Sequence, residues 1–372
     1  MKRYVASRLL QVIPQLVVVA VVTFVLLRLL PANPVTQIVG PTATQATYAL
    51  EKQKLGLSAS LLSQLGTFFG NILHGNFGTS WQTNLSVRAE IGQHLPITLQ
   101  LIVMATAVAL LIGIPLGYLL STGSSAARGQ GRSQGRSQGR GQGRSRGSRR
   151  GWRRRQGSGQ RRRSQHRFLR IFSLFAGSQP DFWWGLVFIY LFFYLVRIFP
   201  APLGILSLTA TPPNAITGFV LIDSLLTGQI GTFFDALDHF ALPVLTLAFV
   251  VVGPIIRMTS QGMRTEVNAD YVLYARAAGL SRLRIAMYII RNGLAPVLTL
   301  TGVLFGVLLG GAVLVETVFS LNGLGVYTLQ SVLALNYPSI EGAVVVMTAI
   351  ALLVYIVMDI LYALLDPRVR NR

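Results

Sequence analysis

Residues 268–296 read NADYVLYARAAGLSRLRIAMYIIRNGLAP, and two uncharged apolar runs flank them, Phe240–Ile256 before and Val297–Val315 after. Flanks of that kind are membrane spans, so the quoted stretch is a connection between two spans that carries structure of its own. Asp270 is placed to cap a helix at its start, and Gly279 falls where a helix takes its left-handed terminating residue. Between them, Ala275 and Ala277 leave room for close contact, beside the positive charge of Arg276, Arg282 and Arg284. A short, capped, rigid helix projecting from a membrane protein is suited to being gripped by a partner. The simpler alternative is an interfacial helix resting on headgroups.

Working outward, further apolar runs complete a plan of six spans. They are Leu9–Leu27, Pro96–Leu120, Phe168–Phe199 interrupted by Pro180 and Asp181, the two flanking runs, and Gly342–Tyr362. Nineteen residues at about 1.5 Å each nearly cross a hydrocarbon core of roughly 30 Å. The composition agrees: 52% of the 372 residues are hydrophobic and only 12% are charged, far too little polar surface for a water-soluble domain. The first run follows Lys2, Arg3 and Arg8 as a signal peptide would. It exceeds a usual signal core and no A-x-A site follows, so a retained anchor is expected.

Six spans put both termini on one side, and positive charge says which. The N-terminus, the connection 257–291, the C-terminus and residues 122–170 hold twenty-eight of the thirty-three basic residues, which makes these segments cytoplasmic. Residues 122–170 alone hold sixteen arginines and no acid, so most of the net charge of +21 is local to one loop. That loop, a degenerate Arg-Gly-Ser-Gln repeat with no hydrophobic period, is expected to be disordered over 122–167. Its single aromatic, Trp152, supplies no series of stacking platforms, so anionic membrane lipid is its expected partner and nucleic acid is not. The domain plan is therefore 1–95, a transmembrane helix with an extracytoplasmic segment, and 96–372, a five-span core with the structured loop 259–296, interrupted by 122–167. Turn signals at Gly70-Asn71, Gly75-Asn76 and Gly78 give the extracytoplasmic segment the makings of a small subdomain.

Chemistry of its own is not indicated. A P-loop needs a lysine following its second glycine, and Lys2, Lys52 and Lys54 each lack one, so any ATP-driven motor must be a separate chain. His74, His94, His166 and His239 have no ligand spacing, cysteine is absent, and no serine has an arguable base. Asp181, Glu316 and Asp359 are the candidates for a substrate path, as ionisable groups in spans. Each lies near an end of its span, where solvation costs little and a structural role suffices. A proton-coupled secondary transporter would need titratable groups mid-span and an internal repeat, and neither is visible. A membrane tether recruiting nucleic acid through 122–170 is the other rival.

Ordered motifs now point to a family. Asp270-Tyr271, Ala275-Arg276-Ala277 and Gly279 follow the pattern D-Y-x-x-x-A-R-A-x-G, with Leu273 and Tyr274 in the places where a generic E-A-A loop has Glu and Ala. Leu30-Pro31 with Asn33-Pro34, Phe77-Gly78-Thr79-Ser80, Leu95-Pro96-Ile97-Thr98-Leu99 and Ser178-Gln179-Pro180-Asp181-Phe182 precede it. Leu242-Pro243, the dense run Gly310–Ser320 with Gly323-Leu324-Gly325, and Leu361–Arg368 complete the series. In this order the segments resemble the permease subunits of dipeptide and oligopeptide binding-protein-dependent ABC importers, over all but 122–170.

The resemblance implies an all-α fold of the type I ABC importer kind with six transmembrane helices. It also implies a second, similar permease as partner and two cytoplasmic ATPases docked on the structured loops, with ATP and Mg held there and no cofactor in this chain. An extracytoplasmic solute-binding protein would deliver cargo. Asp270, Tyr271, Ala275, Arg276, Ala277 and Gly279 are then the ATPase-coupling residues. Peptides are the implied cargo, with nickel, glutathione or oligosaccharide as alternatives on the same scaffold, and the cytoplasmic membrane is the implied location.

Overall fold

The computed structural model describes residues 2–30, 33–40, 42–135 and 179–365. Most of the expected arginine loop lies outside them, as do the start of the third span, Pro31, Ser178, and Asp366 with the basic residues that follow it. Among the described residues every regular element is helical, and the single strand-like feature is an isolated bridge between Thr79 and Ser86.

The helices are α1 (Lys2–Leu29), α2 (Pro34–Val39), α3 (Gln45–Lys54), α4 (Leu61–Leu73), α5 (Val87–Gly135) and α6 (Asp181–Phe188). Then follow α7 (Val220–Leu226), α8 (Ile230–Val267), α9 (Asp270–Ala277), α10 (Arg282–Gly293), α11 (Ala295–Val318), α12 (Leu324–Leu333) and α13 (Tyr337–Leu365). Five of them, α1, α5, α8, α11 and α13, are long and apolar enough to cross a membrane. The sixth expected span is represented by α6, which runs on as a π-helix over Ile189–Leu195 and stops at Arg197, whose φ of 57° turns the chain out of the helix. Its beginning falls outside the described residues.

Helix ends depart from the apolar runs in a consistent direction. The second span begins at Val87, so Pro96 sits inside α5 and not at its start, and the 95/96 division falls within a continuous helix. The last span begins at Tyr337, before Gly342. Once a helix is nucleated each further residue adds one hydrogen bond, so the ladder outruns the lipid-facing stretch. The helix α5 runs on to Gly135, and most of the insert expected over 122–167 lies outside the described residues. Gly70-Asn71, expected as a turn, lies within α4 by the same propagation, whereas Gly75 and Gly78 do turn the chain, with φ of 68° and 83°.

The chain divides into two compact units. The first comprises residues 1–104, 181–246 and 305–357. Its core joins Val87 and Ile91 of α5 to Leu324 and Tyr327 of α12 and Ala343 of α13. Gly342 permits this approach, since a Cβ there would lie 2.8 Å from Val87 Cγ1. A neighbouring cluster of Leu27, Tyr337 and Ile340 ties α1 to α13. Asn336, between α12 and α13, donates to Ser80 Oγ (2.8 Å) and accepts from the Trp81 backbone N–H (3.1 Å), fastening the 76–86 loop.

The second unit comprises residues 105–180, 247–304 and 358–372. Here α5 and α8 touch through glycine: a Cβ on Gly117 would lie 2.5 Å from Thr259 Cβ and 2.9 Å from the Ile256 carbonyl oxygen. Gly262 of α8 faces the Gly293 carbonyl at the end of α10, where a Cβ would again fall at 2.5 Å. Hydropathy makes the five long helices look alike, but burial does not. In the most apolar window of α8, 72% is buried, against 11% for α1 and 6% for α13. The helix α8 is a core element, and its apolar residues serve packing as much as the membrane.

Candidate functional site

The structured connection folds as a helix–turn–helix on the end of α8. The short helix α9 begins at Asp270, but the N-cap conformation belongs to Ala269 (φ −72°, ψ 149°), which has no side chain able to cap. Asp270 therefore sits one residue inside, where its charge complements the helix dipole without closing the end. The other end is as expected. Gly279 has a φ of 74°, its N–H donates to the Arg276 carbonyl (3.1 Å), and the Leu280 N–H donates to the Ala275 carbonyl (3.1 Å). This pair of bonds is a Schellman termination, which stops the helix after two turns and reverses the chain. Ser281 then caps α10, accepting from the Arg284 N–H.

Beneath the two helices lies one core of Met263, Val267, Val272, Ile285 and Ile289, with Ile114, Tyr118, Tyr271, Ala275 and Leu280 packed at its edge. The helix α9 is thus keyed into α5 and α8 by Val272. A hydrogen bond from Tyr271 Oη to Glu266 Oε2 (2.9 Å) adds a polar tie to the end of α8. Burial, reinforced by the Glu266 carboxylate, pushes the Tyr271 phenol above its ordinary value of 10.0, so it remains a proton donor at neutral pH. The sequence-predicted residues divide by face. Tyr271 and Ala275 are half-buried, while Asp270, Arg276, Ala277 and Gly279 are exposed, together with Leu273 and Tyr274. Tyr271, Tyr274, Ala275, Ala278, Tyr288 and Asn292 line an open cavity of about 380 Å³ between α9 and α10. Glu266, Tyr288 and Asn292 were not signalled by any motif, because only the fold of α10 back over α9 brings them in.

The substrate-path candidates have different surroundings. Glu316, expected near a solvated span end, is fully buried. Its carboxyl accepts from the Thr98 hydroxyl and from the Val326 N–H (3.0 Å). Thr98 in turn accepts from the Leu324 N–H (2.8 Å). A Cβ on Gly323 or Gly325 would lie 2.5 to 2.8 Å from the Glu316 carboxyl, so these glycines make the space that it fills. Asp181 is half-buried at the start of α6, with its Oδ2 against the Cα face of Gly311, where any larger residue would overlap it. Asp359 is half-buried in the second unit and interacts there. Glu316 thus joins α11 to α5 and α12 through partners distant in sequence.

Two polar constructions in the first unit escaped sequence reading. Arg28 of α1 donates to Glu341 of α13 (2.6 Å), to Gln64 (2.9 Å) and to the Phe24 carbonyl (3.1 Å), with its guanidinium 3.4 Å from the Phe24 ring centroid. It forms a buried ion pair. Asp223 organises the 216–219 turn, accepting from the N–H groups of Ile216, Thr217 and Gly218 and from the Thr217 hydroxyl. Burial pushes its carboxyl up, but the four hydrogen bonds outweigh it and leave the group below its ordinary 3.8. A depressed folded value means that the stabilisation is complete above 3.8 and is lost as pH falls through the lower, folded value. Amide-exchange protection of Thr217 and Gly218 is therefore expected to be retained at neutral pH and to be lost as pH falls below 3.8 through the lower, folded value.

A helical chain with five apolar spans among its described residues, the third and fourth of them connected by a keyed, Schellman-terminated helix, can now be set against known proteins. Residues 158–371 match the profile "Binding-protein-dependent transport system inner membrane component", and residues 1–102 match its N-terminal companion. The chain belongs to this family. It is therefore a multi-pass membrane component of a transport system.

Among curated relatives, the probable D,D-dipeptide transport system permease protein DdpB of Escherichia coli is 36% identical over 352 residues, 94% of this chain and 92% of that protein. The di/tripeptide transport system permease protein DppB of Pseudomonas aeruginosa is 33% identical across the whole of both chains. The dipeptide transport system permease protein DppB of Haemophilus influenzae is 31% identical, also end to end. In this family of inner-membrane permeases the fold is all-α, as the sequence implied.

Proposed function

We propose that the chain is the permease subunit of an ATP-driven importer of di- and oligopeptides, with α9 as the element on which a separate ATPase acts. End-to-end similarity to dipeptide permeases carries the cargo reading. The coupling role is supported by one observation above others: α9 is rigidly terminated on its exposed side and keyed on its inner side into α5 and α8. A push on Leu273, Tyr274 and Ala277 is then delivered to two membrane-crossing helices and is not absorbed by a loose loop. The concentration of basic residues puts both termini and this connection in the cytoplasm, where ATP is. The remaining partners are a second, similar permease, a second ATPase and an extracytoplasmic solute-binding protein. Transport proceeds by alternating access, and ATP and Mg belong to the ATPases.

Affinity capture of the tagged chain from mild detergent is expected to bring down ATPase, permease and solute-binding chains. In the Gly279→Pro variant, recovery of the ATPase and peptide uptake should each fall by at least about tenfold while membrane insertion is unchanged. Proline holds φ near −65° and has no N–H, so it removes both the left-handed turn and the bond to the Arg276 carbonyl. Gly279→Ala is the control, because no atom lies within 4 Å of a Cβ at that site and only backbone strain of about 1 kcal/mol is added. Unchanged ATPase recovery and uptake in Gly279→Pro would refute the coupling role.

A further inference from the structure

Among the described residues α10 carries two apolar lines, one buried and one exposed over its first turns. Ile285, Ile289 and Gly293 are buried on one line of the helix. Leu283 and Met287 lie on a second line roughly 130° around, while Ile290 and Leu294 farther along it are partly buried against the core beneath α9 and α10. Leu283 is 73% exposed and Met287 56% exposed, so among the described residues this first part of the line is uncovered. Beside it, seven residues apart and therefore on one stripe, stand Arg284 and Arg291, both exposed.

Position and charge say what covers it. The helix α10 ends one residue before the membrane span Ala295–Val318, and its last residue is held backbone-to-side-chain against Met263 and against Gly262 of α8. A helix tied at that point cannot leave the boundary of the bilayer. No acidic residue occurs between Asp270 and Glu316, while that interval carries four arginines. An exposed leucine–methionine line bordered by arginines at the boundary of a membrane is the pattern of an in-plane interfacial helix. Its apolar side chains enter the acyl region, and its long basic side chains reach the headgroups.

We propose that α10 is such a helix, with Leu283 and Met287 immersed in the leaflet and Arg284 and Arg291 binding anionic phospholipid headgroups. This makes the lipid a fixed support for the turn that presents α9. The placement depends on the span and on α10, and not on what docks against α9, so loss of ATPase capture would leave it standing.

The natural absence of cysteine makes a direct test simple. The full chain carrying Leu283→Cys, Met287→Cys or Arg284→Cys is labelled with a fluorophore in nanodiscs of phosphatidylcholine, with or without phosphatidylglycerol. Quenching is read with spin-labelled acyl chains and with aqueous iodide. At Leu283→Cys and Met287→Cys the lipid quencher should be at least about threefold the more effective, and at Arg284→Cys the order should reverse. Adding Arg284→Gln and Arg291→Gln to Met287→Cys should abolish the extra lipid quenching that phosphatidylglycerol brings. Iodide reaching positions 283 and 287 would overturn the placement, as would protection from both quenchers, which would mean a protein covers the stripe. Equal quenching in the two lipid mixtures would overturn the anionic site. Native mass spectrometry gives an independent reading: phosphatidylglycerol should stay bound to the unlabelled chain and be lost from Arg284→Gln/Arg291→Gln.

Discussion

Truncating Glu316 to alanine is expected to destabilise the protein by about 3 to 5 kcal/mol, read as a lowered midpoint of thermal unfolding in mild detergent. The carboxyl is wholly buried and receives the Thr98 hydroxyl and the Val326 N–H, at the point where the chain passes from α11 to α12. Alanine leaves those donors without an acceptor, and each orphaned donor costs about 1 to 3 kcal/mol. The void left by the side chain adds to that, because Gly323 and Gly325 cannot fill it. Glu316→Gln keeps the shape and one acceptor oxygen, so it should lose about half as much. Thr98→Val should also cost about 2 kcal/mol, since Thr98 both donates to Glu316 and accepts from the Leu324 N–H. If Glu316→Ala and the wild type unfold together, the role of this carboxyl is not structural, and a role in the substrate path would return for this residue.

Removing one partner of the Arg28–Glu341 pair is the second large effect. Side-chain exposures of 14% and 7% place both groups away from water. Arg28→Ala leaves the Glu341 carboxylate buried without its cation and strips Gln64 and the Phe24 carbonyl of a donor. Losing one member of a buried pair costs about 3 to 5 kcal/mol. The double variant Arg28→Met/Glu341→Met removes both charges and keeps apolar volume against Phe24 and Tyr337, so it should recover most of the loss. A double variant as unstable as Arg28→Ala alone would show that packing of the arginine stem, and not the ion pair, holds α1 to α13.

These two residues also show where sequence reading stops. Glu316 was visible as an ionisable group close to a span end, where the economical reading was proximity to water, and Arg28 belonged to no motif. Glu316 is instead satisfied by Thr98, 218 positions away, and Arg28 by Glu341, 313 positions away. No local pattern encodes a partner at such separations. Gly279 is the opposite case: its left-handed turn is a property of a few consecutive residues, and it was legible from spacing alone. Asp270 fell between the two. The start of α9 was legible, but the cap conformation settled on Ala269, because the end of α8 and the packing of Val272 set the register of the turn.

Helix boundaries follow the same division. An apolar run marks where lipid is tolerated, whereas a helix ends where its hydrogen-bond ladder ends, so Val87 and Tyr337 begin spans that hydropathy starts later. By itself, the sequence determined that this chain crosses a membrane several times as helices and which family it resembles. Those properties depend on composition and on short motifs whose physics is local. Only the tertiary structure decided that α8 is the buried helix among equally apolar ones, that α9 rests on a core shared with α5 and α8, and that the outer face of α10 is left for another surface. Burial is a relation between distant segments, and a one-dimensional pattern of apolar residues cannot say which of them face one another.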